Sequence, residues 1–258
     1  MKTKREIKNG FSLIEILVAL AIIGILISIL VPWVSKSLEN ARRTRGATCL
    51  KQIAMAYSQY CNDDVNGRNI PASVEKGTDW AMILAQNKYL NDPRAYCFSG
   101  DSGASEVLRN SIVHNNKSSE TDTLNAVWRT VNEKYEFSVY VISGVPIDAP
   151  LSTTPIAFTR GIPAIKHDHS TSGSGEVPAK VAKWPWNSSD ETNGVYSSQG
   201  GYIAYLDGHV EWYDDLGDDQ NGKLVAWNGT RTNKIHDTIP ETAKILSASE
   251  KIAKPSSE

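Results

Sequence analysis

One carboxylate lies inside the most apolar segment of this sequence. Phe11 to Val31 is a nearly unbroken apolar run, and Glu15 interrupts it. As a helix the run would span roughly 31 Å, close to the hydrocarbon thickness of a bilayer. An ionised side chain at the centre of a membrane costs about 2.5 to 3.5 kcal/mol even on the lenient insertion scale. Such a cost predicts a function for Glu15; the alternative is a glutamate near a helix end that reaches the lipid headgroups.

A second group of carboxylates lies towards the C-terminus, where their oxygens could bind a hard cation such as calcium. The candidate ligands are Asp214, Asp215, Asp218 and Asp219. No glutamate occurs between positions 214 and 240, so the ligand pattern of an EF-hand is not satisfied. A solvated acidic turn is the favoured interpretation, and calcium is the alternative.

Other spacings that resemble catalytic or metal-binding motifs are incomplete. Gly217 to Lys223 has the spacing of a phosphate-binding loop, but Leu224 stands where a magnesium-binding Ser or Thr belongs. His167 and His169 have no evident third metal ligand. Neither G-x-S-x-G nor H-E-x-x-H occurs. The sequence therefore predicts neither an enzyme nor a cofactor.

Three cysteines, Cys49, Cys61 and Cys97, are too few for a disulfide scaffold and lack the C-x-x-C spacing of zinc sites. In an exported domain one pair could be oxidised and one thiol left over. Burial against a helix face is at least as good an interpretation. The sequence leaves both open.

The elements that would position these residues begin with a long helix. The apolar run exceeds the roughly 7 to 15 residues of the apolar h-region in a secretory signal, and no A-x-A-like cleavage site follows it. Beyond it a helical period continues, with Arg45 in one slot, through Leu38, Ala41, Cys49, Ile53, Ala56 and Tyr60. Turn residues after Asn62 end the pattern. We expect a helix of about 75 Å with a kink allowed at Pro32.

The segment from Lys8 to Pro32 resembles the N-terminal signature shared by type IV pilins and type II secretion pseudopilins. The shared features are a basic leader ending in Gly10, the aromatic Phe11, a glutamate four positions later and an aliphatic helix. The resemblance implies that prepilin peptidase cleaves between Gly10 and Phe11 and methylates the new amine of Phe11. Glu15 would then neutralise such an amine on a neighbouring subunit, which offsets the desolvation of both charges.

After Pro71, strand-like segments alternate with polar segments, which predicts an antiparallel sheet. The predicted strands are Asn125–Val131, Tyr135–Ser143, Pro155–Thr159, Gly201–Leu206 and His209–Tyr213. The predicted surface loops are Ser99–Glu106, Lys117–Asn125, His167–Gly175 and Trp186–Gly200. Asp207-Gly208 predicts a hairpin with a two-residue type I′ turn. This hairpin also resembles a pilin-like signature of His followed nine residues later by Asp-Gly, although Ser197 replaces that His.

Charge limits the partners and leaves the orientation open. The formal net charge of −2 gives no reason to expect a nucleic-acid partner. Arg42, Arg43, Arg45 and Lys51 follow the apolar run, so the positive-inside rule does not settle which end is cytoplasmic. The resemblance implies a cytoplasmic leader and a head on the periplasmic or extracellular side of the inner membrane.

The expected fold is α+β, a long transmembrane helical spine packed against an antiparallel sheet. The expected divisions are a leader 1–10, a transmembrane assembly helix 11–31, an amphipathic extension 32–62, a globular head 63–252 and a disordered tail 253–258. The resemblance implies a structural subunit of a type IV pilus or pseudopilus. Its partners would be prepilin peptidase, other subunits, an inner-membrane assembly platform and membrane lipid. The alternative is a single-pass anchored protein whose head binds glycans or degrades a polymer.

Overall fold

The computed structural model describes most of the helix and the sheet. The described residues are 13–63, 69–98, 101, 111–115, 122–124, 137–161, 195–196, 199–217, 221–246 and 251–252. The chain divides into two compact units, residues 1–43 and 44–258. The first helix contributes residues to both units.

Helix α1 runs without interruption from Leu13 to Asn62, 50 residues, and ends where the turn residues predicted its end. Pro32 lies inside it and cannot donate the backbone hydrogen bond that an interior helical residue makes. The hydroxyls of Ser28 and Ser35, on either side of Pro32, bond to carbonyls of the preceding turn, at 2.7 and 3.1 Å. The predicted helix is confirmed.

The buried face of α1 lies in the second unit and is wider than predicted. Its residues are Gly46, Cys49, Leu50, Ile53, Ala54, Ala56, Tyr57 and Tyr60. Leu38 and Ala41 belong to the same helical period, but both are exposed in the first unit. An apolar period indicates a helix face that is buried, whether by the same chain, by lipid or by another protein. It therefore does not show which part of the helix is covered by the same chain. It also traces one line of contacts, whereas a packed face is broader.

A six-stranded antiparallel sheet forms the centre of the second unit, in agreement with the α+β prediction. In chain order the strands are β1 Val113–Asn115, β2 Asp122–Leu124, β3 Val139–Ser143, β4 Pro155–Thr159, β5 Gly201–Tyr205, β6 Val210–Tyr213, β7 Leu224–Val225, β8 Arg231–Thr232, β9 Lys244–Leu246 and β10 Lys251–Ile252. The large sheet has the order β10-β9-β3-β4-β5-β6, and β1-β2 and β7-β8 are separate pairs. The predicted strand Asn125–Val131 lies outside the described residues.

The core joins α1, the short helix α2 (Gly77–Gln86) and the central strands β3 and β4. Both strands are buried along their whole length. Tyr57 of α1 stacks on Trp80 of α2 with ring centroids 5.6 Å apart. The indole N–H of Trp80 donates to the carbonyl of Ile142 in β3 at 2.9 Å. Because Trp80 is fully buried, this bond satisfies a polar group that would otherwise be costly to bury.

The hairpin between β5 and β6 is confirmed, but its predicted two-residue turn is wrong. Tyr205 faces His209 across a three-residue loop, with a 3.0 Å bond from the Tyr205 N–H to the His209 carbonyl. A type I′ turn needs positive φ at both central residues, and of the loop residues only Gly208 has it, at 89°. The N–H groups of Leu206 and Asp207 donate to Thr154 and Leu151, each at 3.0 Å. These contacts with a neighbouring segment favour the longer loop.

Candidate assembly site

The first unit presents an apolar helix surface that its own chain does not cover. Every residue from 13 to 38 of α1 is exposed, including Leu13 at 81% and Trp33 at 77%. Within the described part of the chain, one helix is long enough and apolar enough to cross a membrane, and that helix is α1. A helix that is apolar on all sides needs lipid or apolar protein around it. The surface therefore fits the apolar interior of a membrane or a bundle of apolar helices.

Glu15 lies in the first turn of α1, where the helix dipole favours a negative charge. That interaction contributes about 0.3 to 1 kcal/mol, less than the roughly 2.5 to 3.5 kcal/mol that a buried carboxylate costs in a membrane. A nearby cation is one kind of group that can offset such a cost. Gly10 and Phe11, the predicted source of an α-amine, lie outside the described residues.

An ion pair marks the end of the apolar surface. Arg43 donates to Glu39 one turn earlier, with Nη2 and Oε1 2.9 Å apart. An exposed pair at this spacing contributes only about 0.3 to 0.5 kcal/mol, so it defines a polar boundary more than it stabilises the helix. Sequence reasoning missed it, although a glutamate four residues before an arginine is a readable signal.

The acidic candidates for calcium are partly neutralised within the chain. The ammonium group of Lys223 lies 3.1 Å from Asp214 Oδ1 and 2.7 Å from Asp215 Oδ1. Hydrogen bonding from Lys223 lowers the pKa of Asp214, and hydrogen bonding to Asp215 raises the pKa of Lys223. Asp218 and Asp219 lie outside the described residues, as do His167 and His169. Asp214 and Asp215 fit a solvated turn whose carboxylates pair with Lys223. Calcium binding stays a hypothesis.

Cys49, Cys61 and Cys97 all lie within the described residues, and none of them forms a disulfide in the structure. Cys49 and Cys61 are twelve positions apart on one helix, about 18 Å, whereas a disulfide needs Cα atoms about 4.4 to 6.8 Å apart. That pair cannot form within one chain. Cys49 Sγ contacts the carbonyl of Arg94 at 3.5 Å. Disulfide formation therefore stays a prediction only for pairs that include Cys97.

We expect the Cys97 thiol to resist alkylation in the folded protein. Burial, followed by the charge of Asp101, raises the pKa of Cys97 to about 12. At pH 8 its reactive thiolate is then roughly three orders of magnitude scarcer than that of an ordinary thiol. The measurement is iodoacetamide labelling of reduced full-length protein at pH 8, with peptide mass spectrometry. Protein unfolded in guanidinium is the control, and equal labelling of Cys97 in both samples would contradict the prediction.

A buried ion pair escaped sequence reasoning altogether. Arg160 Nη2 lies 2.5 Å from Asp101 Oδ1, and both side chains are almost completely buried. The hydroxyl of Ser138 donates to Asp101 Oδ2 at 2.7 Å and accepts the N–H of Phe98 at 2.8 Å. Arg160 Nε also donates to the carbonyl of Phe137. The expectation that Ser99–Glu106 is a surface loop is therefore wrong at Asp101, because Arg160 provides a counter-charge inside the core.

Comparison with known proteins adds one finding at the N-terminus. A family model described as the prokaryotic N-terminal methylation motif matches residues 7–31. No curated protein and no solved structure matches the chain. The matched residues include the predicted cleavage site, Glu15 and the apolar part of α1. Together the motif and the helix support a single-pass anchor in the inner membrane. This chain carries a type IV pilin-like prepilin signature.

Proposed function

We propose that this protein is a structural subunit that assembles through α1 into a pilus-like or pseudopilus filament. Prepilin peptidase removes residues 1–10 and methylates Phe11, and an inner-membrane platform receives the processed chain. The observation that carries the proposal is the exposed, mostly apolar helix surface at 13–38 with a carboxylate in its first turn. The chain from about residue 35 onward, which includes the head, lies on the periplasmic or extracellular side.

The apolar surface alone does not explain assembly. Lipid tails are as apolar as a neighbouring helix, so moving α1 from lipid into a bundle gains no hydrophobic free energy. Close packing and polar pairing must provide the stabilisation. A matched charge pair also fixes how far one helix slides along another, because any other register leaves both charges unpaired in an apolar surrounding.

Two residues of α1 fit this requirement. Glu15 supplies the carboxylate for the methylated amine of a neighbouring subunit. Gly24 costs the helix about 1 kcal/mol relative to alanine, yet a Cβ at this position would meet nothing within 4 Å in its own chain. Its small size therefore serves contact outside the chain, and close approach of a second helix is the contact that favours glycine in membranes.

The proposal assigns no catalytic role. The matched motif is an N-terminal methylation motif. The proposed partners are prepilin peptidase, other copies or related subunits, the assembly platform and lipid. Whether the filament is a pilus or a secretion pseudopilus depends on these partners.

The processing step is tested by mass spectrometry of the intact N-terminus. We expect protein from the native membrane to begin with N-methylated Phe11 and to retain residues 11–31. A Gly10→Lys variant, which removes the small residue before the cleaved bond, is expected to keep its leader and begin at Met1. Wild-type protein that starts at Met1, or that lacks residues 11–31, would contradict the proposal.

A further inference from the structure

A polar cleft of about 530 Å³ opens on the second unit, far along the chain from α1. Its walls are the β7–β8 hairpin and the segment that follows it, including the 3₁₀ turn Ile235–Thr238. This volume lies in the range of small-molecule sites, about 300 to 1,000 Å³. The proposed filament function makes no use of it.

The hairpin holds Trp227 at the cleft with its side chain partly in solvent. The N–H of Ala226 donates to the Thr230 carbonyl at 2.7 Å, and Gly229, at φ 84°, donates to the Ala226 carbonyl at 2.8 Å. Asn228 Oδ1 accepts from both the N–H and the hydroxyl of Thr230. The N–H of Trp227 donates to the carbonyl of Asp237 at 2.5 Å. These bonds fix the backbone, while Trp227 as a whole residue stays 40% exposed.

The remaining lining offers both donors and acceptors without a net charge. Buried polar residues contribute Thr232, Asn233 and His236. Exposed charged residues contribute two cations and two anions, which are Arg231, Lys234, Asp237 and Glu241. Thr232 Oγ1 donates to Asp237 Oδ2 at 2.6 Å, which orders that carboxylate.

We propose that this cleft binds a neutral pyranose-containing glycan, with Trp227 as the platform for the sugar ring. A pyranose has an apolar face of C–H groups and a rim of hydroxyls that both donate and accept. An exposed indole suits the face, and amide, carboxylate and guanidinium groups suit the rim. The balanced charges disfavour a phosphate or nucleic-acid ligand, which needs an excess of cations. The inference is independent of filament assembly.

The test is calorimetric titration of the full-length protein in an amine-oxide detergent, whose headgroup contains no sugar. The probes are maltohexaose, cellohexaose and chitohexaose, with a linear polyphosphate of similar length. We expect at least one hexasaccharide to bind and the polyphosphate not to bind. Trp227→Ala is expected to weaken saccharide binding at least about tenfold, and Trp227→Phe to weaken it less, because an aromatic face remains.

Leu151→Ala is the matched control, since Leu151 is 58% exposed in the same unit and does not line the cleft. It should bind as the wild type does. The main-chain bond from Trp227 to Asp237 survives any side-chain change except proline, so unchanged thermal melting of Trp227→Ala establishes that the cleft is intact. Absence of binding by all three hexasaccharides, equal binding by Trp227→Ala, or tighter binding of polyphosphate would overturn the proposal.

Discussion

Glu15→Ala is expected to insert into the membrane as well as the wild type or better, yet to be absent from sheared filaments. The substitution removes a charge whose insertion costs about 2.5 to 3.5 kcal/mol, so the apolar segment becomes more favourable in lipid. It also removes the carboxylate that the proposed assembly pairs with the amine of Phe11. Insertion is measured by carbonate extraction of membranes, and assembly by immunoblotting of the sheared fraction.

Glu39→Ala is the matched control on the same helix. Glu39 is also a glutamate of α1, but it is half exposed and pairs with Arg43 of its own chain. Its loss should leave both insertion and assembly unchanged. Glu15→Asp keeps the charge on a shorter side chain and should restore part of the assembly. Glu15→Ala protein that enters filaments at the wild-type level would contradict the pairing mechanism.

Local patterns predicted the helix, much of the sheet and the N-terminal motif, because each depends on neighbours in sequence. The end of α1 at Asn62 follows from turn residues, and β4 follows from one apolar run. The β5–β6 hairpin was predicted, but its turn was not, since the N–H groups of Leu206 and Asp207 bond to residues more than fifty positions earlier. Tertiary contacts of that kind leave no local signal.

The features that sequence reasoning missed are long-range pairings of ordinary residues. Strand β9 lies beside β3 about a hundred positions away, and it has only three residues. Asp101 and Arg160 are 59 positions apart. An aspartate among serines and glycines is typical of a surface loop, and no period marks it as buried. The Trp227 cleft likewise depends on a hairpin of two two-residue strands, too short to predict from alternation.

Removal of one member of the buried pair is expected to cause a large loss of stability in the second unit. Arg160→Met keeps most of the side-chain volume but leaves the Asp101 carboxylate in the core without its counter-charge. Breaking a buried ion pair by removing one partner costs about 3 to 5 kcal/mol, because the other charge stays desolvated. That is a large share of the roughly 5 to 15 kcal/mol that stabilises a typical domain. The melting temperature should fall by roughly 6 to 20 °C.

Arg94→Met is the matched control, because Arg94 also pairs with an aspartate, Asp92, at 2.9 Å, but its side chain is 67% exposed against 3% for Arg160. Solvent already screens that pair, so we expect no measurable change in melting.

The double variant Asp101→Leu, Arg160→Met removes both buried charges and should recover much of the loss, since an apolar replacement of similar volume avoids desolvation. Melting of full-length protein is followed by near-UV circular dichroism. If Arg160→Met melts as Arg94→Met does, the pair does not stabilise the core. If the double variant is less stable than Arg160→Met alone, the hydrogen bonds to Ser138 and Phe137 contribute more than relief of the charge.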